Sequence, residues 1–540
     1  EITYGDWSSD VCSSDLHFFR SAGASGRPAK MARLLERVRD DAGRRPPLDL
    51  FAQLRHLEAL LAEIQGDPGT ARRKAQAAMR LLARWRLLLG SAEFELAQVR
   101  GLTSIYQDVF RILAAREDPE SLFQALATTD VGFPVSVRPR VDPAPQDVAA
   151  LRERWSSLRQ RVRELVPGAE PAAVSAVRAM DQAESELEAA LRAPERTAHG
   201  AGPPGLAGVR DALRAGDVWV ALIDTGDRLR CLTVDGDSCR LHPGAVSTRA
   251  VRDALDRYRF EMERVLVNAS FAARRAETLK RSAELVLSEL ATLVFHPWRE
   301  VVSPGGRVFV HAPGWLDAVP WGALPDPEGR VLWDQAAVVR APGFRRGTVR
   351  PARGGWQFWG VGDALAPEAE AEASELAELV GGTARVGCEA TGAGFLRAAV
   401  QAEVLHFSGH GMVRPDSPAF STLQFADGRL VCLDFAGARI GTRVVVLSAC
   451  ETGEGEAALV LGEGFSRALL AAGAGGVVMS PHRVSDAATR GYMRAFYRAL
   501  LQKLSPEVAL QHAALAGRGN GAHPSGWASF SFVAPLEVVQ

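Results

Sequence analysis

Two short segments place a histidine and a cysteine among small residues, each directly after a strongly apolar run. The first reads Val404-Leu-His-Phe-Ser-Gly-His-Gly-Met412, and the second reads Val444-Val-Val-Leu-Ser-Ala-Cys-Glu-Thr-Gly453. Such runs are typical of strands in a buried parallel sheet, so His410 and Cys450 are each predicted just beyond a strand. If the two strands are neighbours, both side chains emerge at the same edge of the sheet.

This pair of residue types suits nucleophilic catalysis at a carbonyl. A thiolate attacks a carbonyl far better than a thiol does, and an imidazole can accept the thiol proton and later protonate the leaving amine. Glycines at 409 and 411 allow tight turns and close approach of a substrate backbone. The backbone N–H groups of Gly411 and Cys450 are candidate donors to the oxyanion. From spacing alone, the alternative is that Cys450 is only a small buried residue near a strand end.

Four other polar residues compete for a role in this site. His406 is predicted to be a hydrogen-bonded core histidine, and His482 is an alternative base that lacks the glycine context. Asp486 precedes a helical pattern and is interpreted as its N-cap. Asp363 is interpreted as a turn-forming aspartate, with a pocket for a basic side chain as the alternative.

The remaining cysteines carry no recognisable chemistry. No histidine or cysteine lies at metal-ligand spacing from them, so they are predicted to be plain buried or loop thiols, with no metal site. They are Cys231, Cys239, Cys388 and Cys432.

The elements that must position His410 and Cys450 lie in the last 190 residues or so. Strand-like runs at Gln357–Val361, Val404–Phe407, Arg443–Leu447, Gly476–Met479 and Ser529–Val533 alternate with helical patterns. This alternation predicts βαβ units, and hence a mostly parallel sheet covered by helices on both faces. The acidic pattern at Glu368–Glu378 is predicted to be a solvated helix face, and the Trp315 and Trp321 segment is predicted to pack in the core.

Upstream of this region the pattern changes twice. Residues from Met31 to about Thr128 are helical in pattern, broken at Gly66-Asp67-Pro68-Gly69 as in an α-hairpin array. A proline-rich linker at 133–146 and two further helices at Asp147–Val166 and Glu170–Leu191 follow. After Gly205, short strands at Val218–Ile223 and Leu229–Val234 precede a long helical pattern over Thr248–Leu293.

At His410 and Cys450 the chain resembles the CHAT family, bacterial members of the caspase and separase group of cysteine peptidases. That family pairs an HG motif after one strand with a cysteine in an S-A-C-E-T-G-like motif after the next, and Ser408-Gly-His-Gly411 and Ser448-Ala-Cys-Glu-Thr-Gly453 match both. Further matches at Pro320–Leu324, Gly464–Ser480, Phe496–Leu500 and Pro524–Phe530 follow in order, so the resemblance runs from about Gly205 to the C-terminus. The family's usual apolar residue and Trp after Ser480 are replaced here by Pro481-His482, so substrate preference does not carry over.

The resemblance implies a function and a division of the chain. His410 carries over as general base and acid, Cys450 as nucleophile, and the Gly411 and Cys450 N–H groups as oxyanion donors. Together with the local patterns, the resemblance gives the expected regions: residues 1–29 as a non-native or disordered N-terminus, 30–200 as an α-helical region, 201–345 as the N-terminal half of a CHAT unit, and 346–540 as its caspase-like catalytic half. The helical region is interpreted as an irregular helical domain, with a degenerate TPR-like array as the alternative. Such an enzyme would cleave specific partner proteins, need no metal or organic cofactor, and be regulated by a protein bound to its helices. The alternative is a non-catalytic scaffold that retains the fold.

Composition excludes several other classes. The 540 residues carry 63 Lys+Arg against 64 Asp+Glu, and this near-zero net charge of −1 gives no sign of a nucleic-acid or membrane partner. Six cysteines in so long a chain are not a disulfide framework, and with no apolar run of membrane length a cytoplasmic location is expected. The segment Asp10–Leu16 matches the translation of a common sequencing adapter, so residues before about His17, including Cys12, are expected to be an assembly artefact on a truncated gene.

Overall fold

The computed structural model describes most of the chain in two compact units, Glu1–Thr129 and Asp130–Gln540. The described residues are 48–86, 92–115, 117–129, 204–267, 274–347, 354–362, 366–412, 420–435, 438–451, 462–482 and 486–538, with a few isolated positions besides. The expectations about the N-terminal 29 residues, the linker at 133–146, the two helices within 147–191 and the turn at Asp363 lie outside these ranges, apart from scattered positions.

The described part of the first unit is helical, as its sequence pattern predicts. Its helices are α1 (Leu48–Ile64), α2 (Pro68–Arg86), α3 (Ala92–Ala114) and α4 (Pro119–Thr129). Gly66 turns the chain between α1 and α2 with φ +74°, a conformation that favours glycine, and the Asp67 carboxylate accepts a hydrogen bond from the Thr70 N–H at 3.0 Å. Small residues such as Ala59 and Ala75 are fully buried, so the two helices of this predicted hairpin pack closely.

The second unit is built on one sheet that collects strands from residues 218 to 533. The strands are β1 (Val218–Asp224), β2 (Arg228–Val234), β3 (Cys239–Leu241), β4 (Val246–Ser247), β5 (Arg307–His311), β6 (Ala337–Arg340), β8 (Gly354–Gly360), β9 (Thr383–Val386), β10 (Ala402–Met412), β11 (Thr422–Phe425), β12 (Gly428–Val431), β13 (Val444–Glu451), β14 (Gly476–Met479) and β15 (Ser531–Val533). A separate pair joins β7 (Phe344–Arg346) to β16 (Leu536–Val538). The main path runs β12-β11-β10-β13-β14-β15-β6-β5-β1-β2-β3, with β8 beside β10, β9 beside β8 and β4 beside β2.

The sheet contains two blocks of parallel strands that run in opposite directions. The first block comprises β8, β9, β10, β13 and β14, and the second block comprises β1, β5, β6 and β15. They meet where β14 and β15 pair antiparallel. Parallel strands bury both faces, which explains continuous apolar runs such as Val444–Leu447. The predicted class, an α/β unit with a mostly parallel sheet preceded by an all-α region, is therefore confirmed.

Helices cover both faces of the first block. They are α8 (Ala369–Val380), α9 (Gly392–Gln401), α10 (Arg467–Ala471) and α11 (Asp486–Leu501). On the apolar face, Leu405 and Phe407 pack with Phe395 of α9 and Leu469 of α10 in one buried cluster. The opposite face, which carries His406, Ser408 and His410 by strand alternation, is covered by α8 and α11 and is called the histidine face below.

The other helices of this unit are α5 (Leu206–Ala212), α6 (Thr248–Val267), α7 (Ala276–Val294), α12 (Pro506–Gly519) and α13 (Pro524–Trp527). The helical pattern predicted over Thr248–Leu293 is thus two helices that pack against each other, α6 and α7. Apolar periodicity does not reveal such a reversal because both helices need the same kind of buried face. Helix α11 begins at Asp486 itself, so Asp486 is its first residue instead of its N-cap.

Candidate active site

The backbone places His410 and Cys450 side by side. Strands β10 and β13 pair in parallel over eight consecutive residues, and in this register His410 lies opposite Cys450 and Gly411 opposite Glu451. Neighbouring strands are spaced about 4.8 Å apart, so the two positions adjoin near the carboxyl ends of both strands. The condition on which the dyad hypothesis depended, that the two strands are neighbours, is therefore met. The side chain of Cys450 and residues 452–461 lie outside the described part of the chain.

Both positions lie inside their strands and not beyond them. Strand β10 extends to Met412 and β13 to Glu451, so the prediction that His410 and Cys450 follow the strands is wrong by a few residues. Apolar content marks only the buried part of a strand, whereas backbone pairing continues into the glycine-rich end.

The two glycines beside His410 are extended and make no tight turn. A Cβ atom at Gly409 would lie 2.9 Å from Phe407 Cζ and 3.2 Å from the Val361 carbonyl oxygen, so packing requires a glycine there. A Cβ at Gly411 would meet only ordinary contacts, the nearest being Ala449 Cβ at 3.6 Å. Gly409 therefore serves close packing under the site, and the turn role expected for both glycines is not found.

Burial changes sharply along β10 toward His410. His406 is fully buried and Ser408 is nearly so, whereas His410 is half-buried. Ala449, which precedes Cys450, is buried in the apolar cluster with Phe407 and Leu447. The imidazole of His410 is thus held on a rigid strand that emerges from the core, where a proton-transfer group must be both oriented and accessible.

His406 is a hydrogen-bonded core histidine, as predicted. Its Nδ1 lies 3.0 Å from the Tyr497 hydroxyl and its Nε2 lies 3.2 Å from Glu372 Oε1. All three side chains are buried, and burial raises the pKa of the Tyr497 hydroxyl well above its usual value. The network joins β10 to α8 and α11 on the histidine face.

Glu372 corrects one expectation. It belongs to the acidic pattern that was predicted to be solvated, yet only 4% of its surface is exposed. Ala369, Ala373 and Leu376 are also buried, so Glu372 lies on the inward side of α8. The helical spacing of these apolar residues is the signal in the sequence that could have identified it.

His482 is not placed to act as the base. It is buried, and its Nε2 lies 3.0 Å from the carbonyl oxygen of Ala318. Burial lowers the pKa of His482 to about 4, because the charged form loses its hydration. The neutral ring donates a hydrogen bond to Ala318 and packs edge-on against Tyr258. It ties the end of β14 to the segment that follows β5.

The cysteines that the structure describes differ from one another mainly in exposure. Cys231 and Cys432 are buried, Cys239 is half-buried and Cys388 is exposed. Burial raises the pKa of the Cys231 thiol, which makes it a poor nucleophile. Within the described ranges, no group of three or more His, Cys, Asp or Glu side chains is arranged to hold a metal ion. No helix among the described residues is long and apolar enough to cross a membrane.

The tryptophans upstream divide between two environments. Trp321 is buried, as expected for core packing, and is the first residue of a short 3₁₀ turn. Trp315 is half-buried, donates a hydrogen bond to Asp224 Oδ2 at 3.2 Å and lies against the guanidinium of Arg252 at 4.1 Å. Only Trp321 therefore belongs to the core.

The segment that contains His410 and Cys450 matches a known protein family. Residues 284–535 match the family model of the CHAT domain. This part of the chain is a CHAT domain. It starts within α7 and contains β5 to β15, together with His410 and Cys450. Strands β1 to β4 precede the matched residues, although they belong to the same sheet as the CHAT domain.

Curated relatives cover little of this chain. Tetratricopeptide repeat protein 28 of Mus musculus is 28% identical over 207 residues, which are 31% of this chain and 8% of that protein. The Homo sapiens protein of the same name is 29% identical over 207 residues, again 31% of this chain and 8% of that protein. The chain therefore spans less than a tenth of the length of these relatives.

Two solved structures resemble this chain at low sequence identity. One is the Arg specific cysteine proteinase gingipain R, with a TM-score of 0.32 and 10% identity over 47% of this chain and 68% of that chain. Another is the Saccharomyces cerevisiae separase–securin complex, with a TM-score of 0.44 and 9% identity over 98% of this chain and 56% of that chain. TM-scores this low do not establish a shared fold.

Proposed function

We propose that this protein is a cysteine endopeptidase in which Cys450 is the nucleophile and His410 the general base and acid. The observation that carries the proposal is the register of β10 and β13, which sets the two residues opposite each other near the carboxyl ends of neighbouring parallel strands. The match of residues 284–535 to the CHAT domain supports it.

The proposed reaction proceeds through an acyl-enzyme. His410 accepts the Cys450 thiol proton as sulfur bonds to the peptide carbonyl carbon, and the N–H groups of Gly411 and Cys450 donate to the oxyanion. The intermediate collapses by breaking the C–N bond, while the imidazolium gives its proton to the leaving amine. Water then attacks the thioester and loses a proton to His410. The C–S bond then breaks, the imidazolium of His410 returns its proton to the sulfur of Cys450, and the carboxylic acid is released.

The proposed reaction indicates the class of substrate, and the helical first unit indicates how the enzyme would be regulated. An endopeptidase acts on a protein substrate, and the proposed chemistry needs neither a metal nor an organic cofactor. The helical first unit is proposed to bind a regulatory protein, since α-hairpins commonly present extended binding surfaces. The proposed set of partners includes neither nucleic acid nor membrane.

Labelling with a peptidyl acyloxymethyl ketone tests the proposal. The reagent should modify Cys450 in the native protein, as located by mass spectrometry of digested peptides, and Cys450→Ala should lose that label. Cys388→Ala is the matched control because Cys388 is an exposed thiol away from the dyad, and it should label as the native protein does. Equal total labelling of native protein and Cys450→Ala would contradict the proposal.

The same experiment separates the peptidase from a non-catalytic scaffold. A scaffold keeps the fold without a reactive dyad, so Cys450 would then react no faster than Cys388. If Cys450 is labelled selectively, a screen of a peptide library against native protein and His410→Gln identifies the cleavage preference. Cleavage that persists unchanged in His410→Gln would assign the activity to other residues.

A further inference from the structure

The outward side of the α6–α7 helical hairpin carries two large apolar side chains that remain largely exposed. Phe260 of α6 is 60% exposed and Leu285 of α7 is 67% exposed. Both helices bury their opposite sides, through residues such as Tyr258 and Leu287. The hairpin therefore packs on the unit through one side and presents apolar surface to solvent on the other.

The two exposed side chains lie at the same level of the hairpin. The Nη2 atom of Arg257 lies 2.5 Å from Glu289 Oε1, which fixes the alignment of the two antiparallel helices. Counted from this pair, Phe260 lies opposite position 286, next to Leu285. Single exposed apolar residues are common on soluble proteins, whereas adjacent ones mark contact surfaces. Phe260 and Leu285 together are called the hairpin patch below.

The charges on α6 are arranged about Phe260 with opposite signs at matching positions. Arg257 lies three residues before Phe260, and Glu263 lies three residues after it. Asp256 and Arg264 are related in the same way at four residues before and after. Positions three and four residues from a central residue flank it on the same face of a helix. A second copy of α6, antiparallel and centred on Phe260, therefore sets each charge against an opposite charge.

Helix α7 has the same property about Leu285. Arg281 lies four residues before Leu285 and Glu289 lies four residues after it. The residues three before and three after Leu285 are both serines. Because Phe260 and Leu285 lie at one level of the hairpin, a single two-fold axis across both helices satisfies both patterns at once.

Two of these charged side chains make no ion pair within the described ranges. They are Glu263 and Arg281, and both are exposed. In the two-fold arrangement, Glu263 meets Arg257 of the partner subunit and Arg281 meets Glu289 of the partner subunit. Arg257 and Glu289 are 50% and 48% exposed, so each can contact a second copy while it stays paired within its own chain.

We propose that the hairpin patch is the centre of a two-fold interface between two copies of this chain. Phe260 packs on Phe260 of the partner subunit, Leu285 packs on Leu285 of the partner subunit, and the flanking charges pair around them. A two-fold contact needs a surface that is complementary to itself, and the charge patterns of α6 and α7 supply that property. This inference does not depend on the proposed peptidase activity.

The interface is of modest size. A helix of about 20 residues is about 30 Å long, and two helices side by side are about 20 Å wide, so each copy contributes about 600 Å². The total of about 1,200 Å² lies at the lower end of specific protein interfaces. The dimer should therefore dissociate in the micromolar range.

Sedimentation velocity of the full chain over a range of concentrations tests the proposal. The native protein should show a reversible equilibrium between monomer and dimer. Phe260→Glu sets two carboxylates against each other at the two-fold axis and should weaken the dimer about 100-fold or more. Val400→Glu is the matched control, because Val400 is 49% exposed on α9, and it should leave the dissociation constant within about twofold.

An exchange of charges tests the orientation of the two copies. Arg281→Glu sets like charges against Glu289 of the partner subunit at two symmetric places and should weaken the dimer about tenfold. Arg281→Glu combined with Glu289→Arg restores opposite charges and should recover most of that loss. A loss that the double variant does not recover would contradict the antiparallel two-fold arrangement.

The remaining outcomes decide whether the hairpin patch is the contact at all. A native chain that sediments as a monomer throughout the micromolar range overturns the proposal and leaves this face to a different protein partner. A dimer that Phe260→Glu does not weaken also overturns it, because the contact then lies elsewhere. Far-UV circular dichroism checks that the variants fold, and Leu285→Glu is the second patch variant if Phe260→Glu does not.

Discussion

The two blocks of parallel strands each carry a histidine near the carboxyl end of a strand, but the surroundings of the two histidines differ. Strands of the first block carry His410 and Cys450 near their carboxyl ends, and strands of the second block end in His311 and Arg340. The blocks run in opposite directions, so these ends lie at opposite edges of one sheet.

In the second block the polar groups form structural contacts. His311 Nδ1 lies 3.1 Å from the Ala341 carbonyl oxygen, and Arg340 pairs with Asp317. Burial raises the pKa of Asp317, an effect that the attraction of Arg340 only partly opposes. In the first block, glycine and alanine surround the pair instead. A histidine near the carboxyl end of a parallel strand is therefore not by itself a reactive site. The small residues around His410 and Cys450 distinguish this end of the first block from that of the second block.

The separate pair of β7 and β16 also anchors the first block. The guanidinium of Arg345 is fully buried and donates from Nη2 to the carbonyl oxygens of Leu470 and Ala474, each at 2.8 Å. Both carbonyls lie at the end of α10, where a cation is favourable. Burial lowers the pKa of Arg345 to about 10, and Glu537 opposes that shift.

The largest expected effect contrasts the two strand-end histidines. His410→Gln should lower the rate of peptide cleavage by about 10²–10⁴-fold, the usual contribution of a general acid–base group. His311→Gln should leave the rate within about twofold while lowering thermal stability, because its ring contacts the Ala341 carbonyl oxygen and the ring of Trp219 and lies on the block without the dyad. Steady-state kinetics on both purified variants checks the pair. Equal losses of activity would remove the distinction between the blocks.

Loss of the buried guanidinium of Arg345 should weaken the junction between the β7–β16 pair and the first block. Arg345→Met removes a donor from two buried carbonyls, of which that of Leu470 still accepts from the Gly473 N–H at 3.1 Å, and should cost about 1–3 kcal/mol of unfolding free energy. Arg307→Met is the control, since Arg307 pairs with Asp217 at 2.5 Å on the second block away from α10. Limited proteolysis should show early cleavage near α10 only in Arg345→Met. Identical fragment patterns in the two variants would place the junction elsewhere.

A pH dependence of stability is expected from His482, which ties the first block to Ala318. Its pKa in the fold, about 4, lies below the unfolded value of 6.5, so the unfolded chain takes up the proton first. This contribution to stability is complete above the unfolded pKa and is lost as the pH falls toward the folded pKa. Between about pH 7 and pH 5 the loss should be about 2 kcal/mol.

Chemical denaturation at both pH values measures this loss. His482→Gln, which can still donate to Ala318, should show a smaller difference between the two conditions. A native protein whose unfolding free energy responds to pH as the variant does would assign the acid sensitivity to other groups.

The smallest effect separates two tyrosines on α11. Tyr497→Phe and Tyr492→Phe each remove a buried hydroxyl, the first from His406 at 3.0 Å and the second from the Leu510 carbonyl oxygen at 3.1 Å. Each should cost about 1 kcal/mol of stability. Only Tyr497→Phe should alter the ring proton exchange of His406, as followed by NMR. A change in both variants would show that the His406 network extends beyond its three members.

Local sequence patterns predicted many of the strands and helices. Apolar runs predicted β1, β13 and β14 because a strand buried on both faces needs consecutive apolar residues. The turn at Gly66 and the helices on either side of it were also predicted from local sequence alone. The break between α6 and α7 was missed, since apolar periodicity records which face is buried and not where the chain reverses.

Some residues of the candidate site and its surroundings were predicted from the sequence, and others were found only in the structure. Residue types and motifs identified His410, Cys450 and the core role of His406. Glu372 and Tyr497 were not associated with the site, because they come from helices that are 34 and 91 residues away from His406 in the chain. Proximity of that kind arises only when helices dock on a sheet.

The sequence by itself determined which residues have the chemistry for catalysis and which segments are buried, since both depend on side-chain type and local spacing. Only the tertiary structure decided that His410 and Cys450 share a register, that the two blocks run in opposite directions, and that the Glu372 carboxylate lies buried against His406. Those properties depend on pairing between distant segments, where backbone hydrogen bonds and excluded water act over contacts that no local pattern records.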